Sequence, residues 1–124
     1  MAKNILLVDD SRTVRVQVGA AIRDKGYNVV EASDGLEALA VLEKRRDIAL
    51  VISDVNMPGM DGLELLEAIQ RRADCAKLPV VILTTEARQQ LVDRAKSAGA
   101  KGWMIKPFNP QVLLAAVQKL AGSP

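Results

Sequence analysis

With 124 residues, of which 49% are apolar and 26% charged, the chain has the length and composition of one folded domain around a single core, which excludes the disordered and collagen-like classes. Its 17 Lys and Arg against 15 Asp and Glu leave only +2, scattered except at 44–46 and 71–72; with one Trp, one Tyr and one Phe there is neither a basic stripe nor a stacking platform for nucleic acid. The single Cys75 closes no intrachain disulfide, no stretch reaches the roughly 18 apolar residues of a membrane span, and the N-terminus lacks a signal-peptide pattern, so a cytoplasmic monomer without membrane insertion is expected.

The apolar run 5–8 stops at Asp9 and Asp10, and an unbroken run of this length predicts a strand buried on both faces, hence a parallel sheet covered by helices. From Ser11, apolar residues at Val14, Val18, Ala21 and Ile22 keep helical spacing, and Gly26 stands where a glycine ends a helix. Val29 and Val30 form a second strand. Asp34 and Glu37 then have the spacing of a capping box, opening a helix that carries Leu39 and Leu42 on one face and closes at 44–46. The run 49–52 is the third strand and delivers Asp54, with the turn Met57-Pro58-Gly59 behind it. Asp61 and Glu64 repeat the capping spacing ahead of a helix burying Leu66 and Ile69. After Pro79, 80–83 is the fourth strand, ending at Thr84; 87–97 is a helix with Leu91 and Ala95 on one face and Gly99 past its end. The fifth strand, 102–105, stops at Lys106-Pro107. Asn109 caps the last helix, with Pro110 at its first position and Leu113, Val117 and Leu120 as its buried stripe, and Ser123 and Pro124 form a frayed tail. Strands alternating with helices in this way define a doubly wound α/β fold spanning 1–124. Periodicity alone leaves the strand order open.

Four strands thus end in residues with chemical capability: Asp9 and Asp10, Asp54, Thr84 and Lys106. A parallel sheet brings all of these ends to one rim, where ligands bind. Carboxylates gathered there repel, by roughly 4 kcal/mol for a pair about 4 Å apart at an effective dielectric near 20, and so require a cation. No His is present, and an all-oxygen donor set suits a hard divalent ion such as Mg²⁺. A carboxylate nucleophile, a metal, an ammonium and a hydroxyl together resemble phosphoryl-transfer machinery, with an aspartyl phosphate formed on Asp54.

On these residues the sequence resembles the receiver domains of two-component response regulators, closest to the single-domain regulators of chemotaxis. The resemblance is carried by Val8-Asp9-Asp10, by Asp54 with the run Met57-Pro58-Gly59-Met60-Asp61-Gly62, by Thr84 and by Lys106-Pro107-Phe108, and it covers essentially the whole chain. It implies a flavodoxin-like five-stranded sheet of order 2-1-3-4-5. It also implies a phosphoryl group passed from a histidine kinase to Asp54. Mg²⁺ would be held by Asp10, Asp54 and the backbone carbonyl of Asn56, with Asp9 acting through water. Lys106 and Thr84 would contact the phosphoryl group, the Lys106-Pro107 peptide would be cis, and Asn56 and Glu86 would tune the phosphoryl lifetime. Trp103 stands where the family carries a mobile Tyr or Phe; the larger ring puts its movement on activation in question beside a plain core role. Output would pass through the face of the fourth helix, fifth strand and fifth helix to a flagellar motor switch protein or, as a relay or phosphate sink, through a histidine phosphotransfer protein. A turnover enzyme is not expected: phosphatases of the haloacid-dehalogenase type need an acid two residues after the nucleophile, where this chain has Asn56, and a pseudo-receiver would lack Asp10, Asp54 or Lys106. Cys75 is expected in a loop after the third helix, without a role.

Overall fold

The structure, a computed structural model, describes residues 2–75 and 77–124. Its elements follow in the order β1 (Asn4–Val8), α1 (Arg12–Asp24), β2 (Asn28–Ala32), α2 (Gly35–Lys44), β3 (Ile48–Ser53), α3 (Gly62–Arg71), a 3₁₀ turn (Ala73–Cys75), β4 (Val80–Thr84), α4 (Gln89–Ser97), β5 (Gly102–Ile105) and α5 (Pro110–Ala121). The strands are parallel in the order β2-β1-β3-β4-β5, as the resemblance implies.

Period-two alternation within the buried strands divides the core. Leu6, Val8, Val51, Val80 and Ile82 point to the side covered by α2, α3 and α4, where they meet Leu42, Leu66, Ile69 and Ala95. Ile5, Leu7, Leu50, Ile52, Val81 and Leu83 point to the other side, against Val18, Ile22, Leu113 and Val117 of α1 and α5. Because β1, β3 and β4 are buried on both faces, none of them needs a polar alternate, which is why their sequences read as unbroken apolar runs.

The helix starts follow the side-chain caps. Ser11 accepts from the Val14 N–H, and Asp61 forms the full reciprocal box with Glu64. At Asp34 only half of the expected box exists: Asp34 accepts from the Glu37 N–H, while the Glu37 carboxylate takes the Ser33 hydroxyl instead. The fourth helix begins at Gln89 rather than 87, because Thr84 Oγ1 accepts from the Glu86 N–H and Arg88, at the cap position, offers no capping oxygen. Cys75 lies in the 3₁₀ turn and is buried, so it packs. No helix of the described residues is long and apolar enough to cross a membrane.

Candidate functional site

The C-terminal rim of the sheet is assembled by register. Val8 is paired with Ser53, and Thr84 with Ile105, so the residues that follow leave the sheet side by side. The ladders run one step past the strands: the Asp9 N–H donates to Ala32 O, Asp54 N–H to Val8 O at 3.0 Å, and Lys106 N–H to Thr84 O at 2.8 Å. Three side chains from far-apart stretches are thereby fixed by backbone hydrogen bonds before their own chemistry begins.

Lys106 Nζ lies 2.7 Å from Asp9 Oδ2 and 2.8 Å from Asp54 Oδ2, bridging two nearly buried carboxylates. Burial alone would lower the lysine pKa, but hydrogen bonds and charge from Asp54 and Asp9 outweigh it and hold the ammonium above the ordinary lysine value. The cation that gathered carboxylates require is thus supplied in part by the chain itself. The other Asp54 oxygen, Oδ1, accepts from the Val55 N–H at 2.6 Å and more weakly from Asn56 N–H at 3.4 Å, while Asp9 Oδ1 accepts from Ser11 N–H at 2.9 Å. Asp10 is exposed, and oxygens of Asp9, Asp10 and Asp54 lie within 4.8 Å of one another, a group able to hold a metal ion. Three carboxylates in a sequence without His form a hard, anionic donor set that fits Mg²⁺ and not a soft metal.

Thr84, the last residue of β4, is fully buried, and its Oγ1 is engaged with Glu86 N–H at 3.2 Å. The Glu86 carbonyl in turn accepts from Trp103 Nε1 at 3.0 Å, so a short chain of hydrogen bonds leads from Thr84 to the half-buried indole on β5. A cavity of about 80 Å³ lined by Val92, Ala95, Lys96 and Ala100 adjoins Trp103. The Glu86 carboxylate is gripped by Arg88 at 2.8 and 3.1 Å, whose hydrogen bonds hold it below the ordinary glutamate range. The Lys106-Pro107 peptide is cis.

Three contributors to this rim have no role assigned to them from the sequence. Ser53 is fully buried and donates to the Asp54 carbonyl at 2.8 Å. Gly62 approaches the same carbonyl so closely that an added Cβ would lie 1.9 Å from it. Arg15, on α1, donates from Nη1 to the Asp9 carbonyl at 2.5 Å and from Nε to Glu31 at 3.0 Å. A serine and a glycine beside an acid could have been flagged as turn chemistry. Arg15 leaves no signal, because it reads as one more exposed cation on an amphipathic helix.

A parallel 2-1-3-4-5 sheet with three carboxylates and a lysine converging at its C-terminal rim defines the receiver class of α/β proteins. The family model described as the response regulator receiver domain matches residues 5–118, and the chain belongs to that family. Within it, the chain is 41% identical over 117 residues to chemotaxis protein CheY-3 of Vibrio cholerae serotype O1, covering 94% of this chain and 89% of that one. The crystallised chemotaxis protein CheY4 of Vibrio cholerae superposes with a TM-score of 0.90 at 41% identity, over 97% of this chain and 99% of that one. A receiver domain of a sensor histidine kinase from Pseudomonas aeruginosa PAO1, described with a magnesium ion coordinated in its active site cleft, has a TM-score of 0.89 at 28% identity over 99% of this chain and 100% of that one.

Proposed function

We propose that this protein is a phosphorylation-operated switch of the chemotaxis type, taking a phosphoryl group from a histidine kinase onto Asp54. The observation that carries the reading is the Lys106 bridge: Nζ contacts Asp9 and Asp54 at once while the exposed Asp10 stands beside them. Asp10, Asp54 and the Asn56 carbonyl would hold Mg²⁺, with Asp9 acting through water; the similar receiver domain described with magnesium in its active site cleft supports the choice of ion. The bound ion would neutralise the oxygens of the transferring group. Asp54 Oδ2 attacks phosphorus, the bond to the donor nitrogen breaks with its electron pair leaving on the histidine, and Lys106 turns from Asp54 to the new phosphoryl oxygens. The chain thus promotes its own phosphorylation and dephosphorylation without turning over an external substrate. Asn56 and Glu86, two residues after Asp54 and Thr84 in sequence, would govern the phosphoryl lifetime, as the resemblance implies.

The switch runs along hydrogen bonds described above. A Thr84 side chain that rotates to bring its hydroxyl to the phosphoryl group carries Oγ1 away from the Glu86 N–H, loosening the turn whose carbonyl holds the indole. Mg²⁺ with beryllofluoride should therefore shift the Trp103 emission to shorter wavelength and reduce iodide quenching, while Mg²⁺ alone does much less. Thr84→Ala should take up the phosphoryl mimic with little spectral change. An indole equally shielded with and without beryllofluoride would return Trp103 to a static core role.

Removal of the ammonium by Lys106→Met leaves two buried carboxylates facing each other. Without divalent cation the variant should be less stable by about 2–4 kcal/mol in urea denaturation, the scale of one such repulsion. Mg²⁺ should restore more stability to it than to wild type, since an ion bound only by the folded state stabilises by mass action. Equal stabilisation of both proteins by Mg²⁺ would mean that the ion does not meet these carboxylates.

The output is binding of a protein target through α4, β5 and α5. Capture from the organism's own lysate by the beryllofluoride form, against an Asp54→Ala control, tests this. A motor switch protein supports chemotaxis; a histidine phosphotransfer protein recovered in its place overturns it in favour of a relay or phosphate sink.

A further inference from the structure

We infer that Arg15, held by Glu31, is a positioning residue that sets the orientation of the acid pair Asp9-Asp10. Past Val8 the β1 backbone leaves its strand, and the ladder to β2 ends with the Asp9 N–H on Ala32 O at 3.1 Å. The carbonyl of the same residue belongs to the peptide linking Asp9 to Asp10. Among the described residues the hydrogen bond to it comes from Arg15 Nη1, at 2.5 Å. A peptide is planar, so holding its oxygen holds the plane that joins the two α-carbons and leaves a single backbone rotation on each side to set where the side chains of Asp9 and Asp10 depart. Asp9 is further secured by Ser11 and Lys106, whereas the side chain of the exposed Asp10 has no such hydrogen bond among the described residues and depends on its backbone to aim it.

A guanidinium one turn along α1 from two carboxylates would ordinarily fold onto them and compete with a metal ion. Glu31, on β2, prevents this. Its Oε1 takes Arg15 Nε at 3.0 Å and its Oε2 takes Arg23 at 3.4 Å, so the fork of Arg15 is split between a carboxylate away from the site and a carbonyl within it. Arg15, Gly19 and Arg23 follow at intervals of four on one helix face, and Gly19 leaves the room across which Arg23 lies back: a Cβ there would stand 3.1 Å from Arg23 Nη1. Arg15 is only 16% exposed, and its planar, two-armed contact is one a lysine could not make. The arrangement keeps a positive charge near the acid pair for its hydrogen bond while withholding it from their oxygens.

This inference rests on the reading that Asp10, Asp54 and the Asn56 carbonyl hold Mg²⁺ with Asp9 acting through water, and its test separates the two. Mg²⁺ affinity is measured by calorimetric titration of the whole chain for wild type, Arg15→Met, Glu31→Gln and the double variant, with urea midpoints in EDTA to confirm folding. Loss of a nearby positive charge would by itself tighten Mg²⁺ binding. A positioning role predicts the opposite sign, a weakening of roughly tenfold in Arg15→Met, as for outer partners that orient metal ligands. Glu31→Gln, at a 38% exposed strand position that does not threaten the fold, should also weaken binding, and should have no further effect once Arg15 is Met. Mg²⁺ binding by Arg15→Met equal to or tighter than wild type overturns the inference, as does a Glu31→Gln effect of the same size in both backgrounds. Wild type that takes up no Mg²⁺ overturns the metal reading itself and this inference with it.

Discussion

Asp54→Asn is expected to abolish phosphoryl uptake from acetyl phosphate, by at least about a thousandfold in rate, or roughly 4 kcal/mol of barrier. The amide removes the anionic oxygen now 2.8 Å from Lys106 and leaves a neutral group of nearly the same shape. The backbone contact survives, since an amide oxygen still accepts from the Val55 N–H that Oδ1 holds at 2.6 Å. The amide NH₂ then faces the Lys106 ammonium and loses that contact, but Lys106 keeps Asp9 at 2.7 Å and one negative charge leaves a crowded acidic rim, so the urea midpoint should stay near that of wild type. Loss of labelling with intact stability assigns the chemistry to this oxygen rather than to a collapsed fold. Wild type should add one phosphate, labile to hydroxylamine, and EDTA should prevent it. Labelling of Asp54→Asn at the wild-type rate, or labelling indifferent to EDTA, would sink the proposed mechanism.

Gly62→Ala is expected to have the largest structural effect among the glycine positions. Its added Cβ would lie 1.9 Å from the Asp54 carbonyl oxygen, 2.8 Å from the carbonyl carbon and 2.9 Å from the Val55 Cα, all backbone atoms that no rotamer change can move. The first turn of α3 and the loop after β3 must separate by more than an ångström, although the Gly62 N–H is bonded to Val55 O at 2.9 Å. Overpacking against rigid atoms costs about 3 kcal/mol or more, which corresponds to roughly 10 °C in midpoint for a chain of this size. Because the displaced carbonyl is that of Asp54, Mg²⁺-dependent labelling should fall as well. Gly59→Ala is the control: that residue has φ +72° with nothing within 4 Å of its would-be Cβ, so it carries only the left-handed backbone penalty of about 1–2 kcal/mol. A thermal midpoint for Gly62→Ala no lower than that of Gly59→Ala would show that the loop yields freely.

The sequence by itself determined the kinds of element and most of their ends. Unbroken apolar runs meant strands buried on both faces, and Ser11, Asp61 and Asn109 announced helix starts, because burial and capping act within a few residues of chain. It also placed the acids, Thr84 and Lys106 at one rim, since the C-terminal ends of parallel strands share an edge. Where a local signal was half present, the structure departed from it: Glu37 turned to Ser33, and α4 waited until Gln89 because Thr84 held the Glu86 N–H. Only the tertiary structure decided the contacts that make the rim a site. Lys106 as the counter-charge to Asp9 and Asp54 joins residues 97 and 52 positions apart, and follows from the pairing of Val8 with Ser53 and of Thr84 with Ile105. Arg15 became more than a surface cation, and Gly62 more than a turn residue, for the same reason. Local patterns report the dihedral preference and burial of a residue among its neighbours, whereas the distance between two side chains from remote segments is settled by strand register and helix packing, which every residue of the core determines jointly.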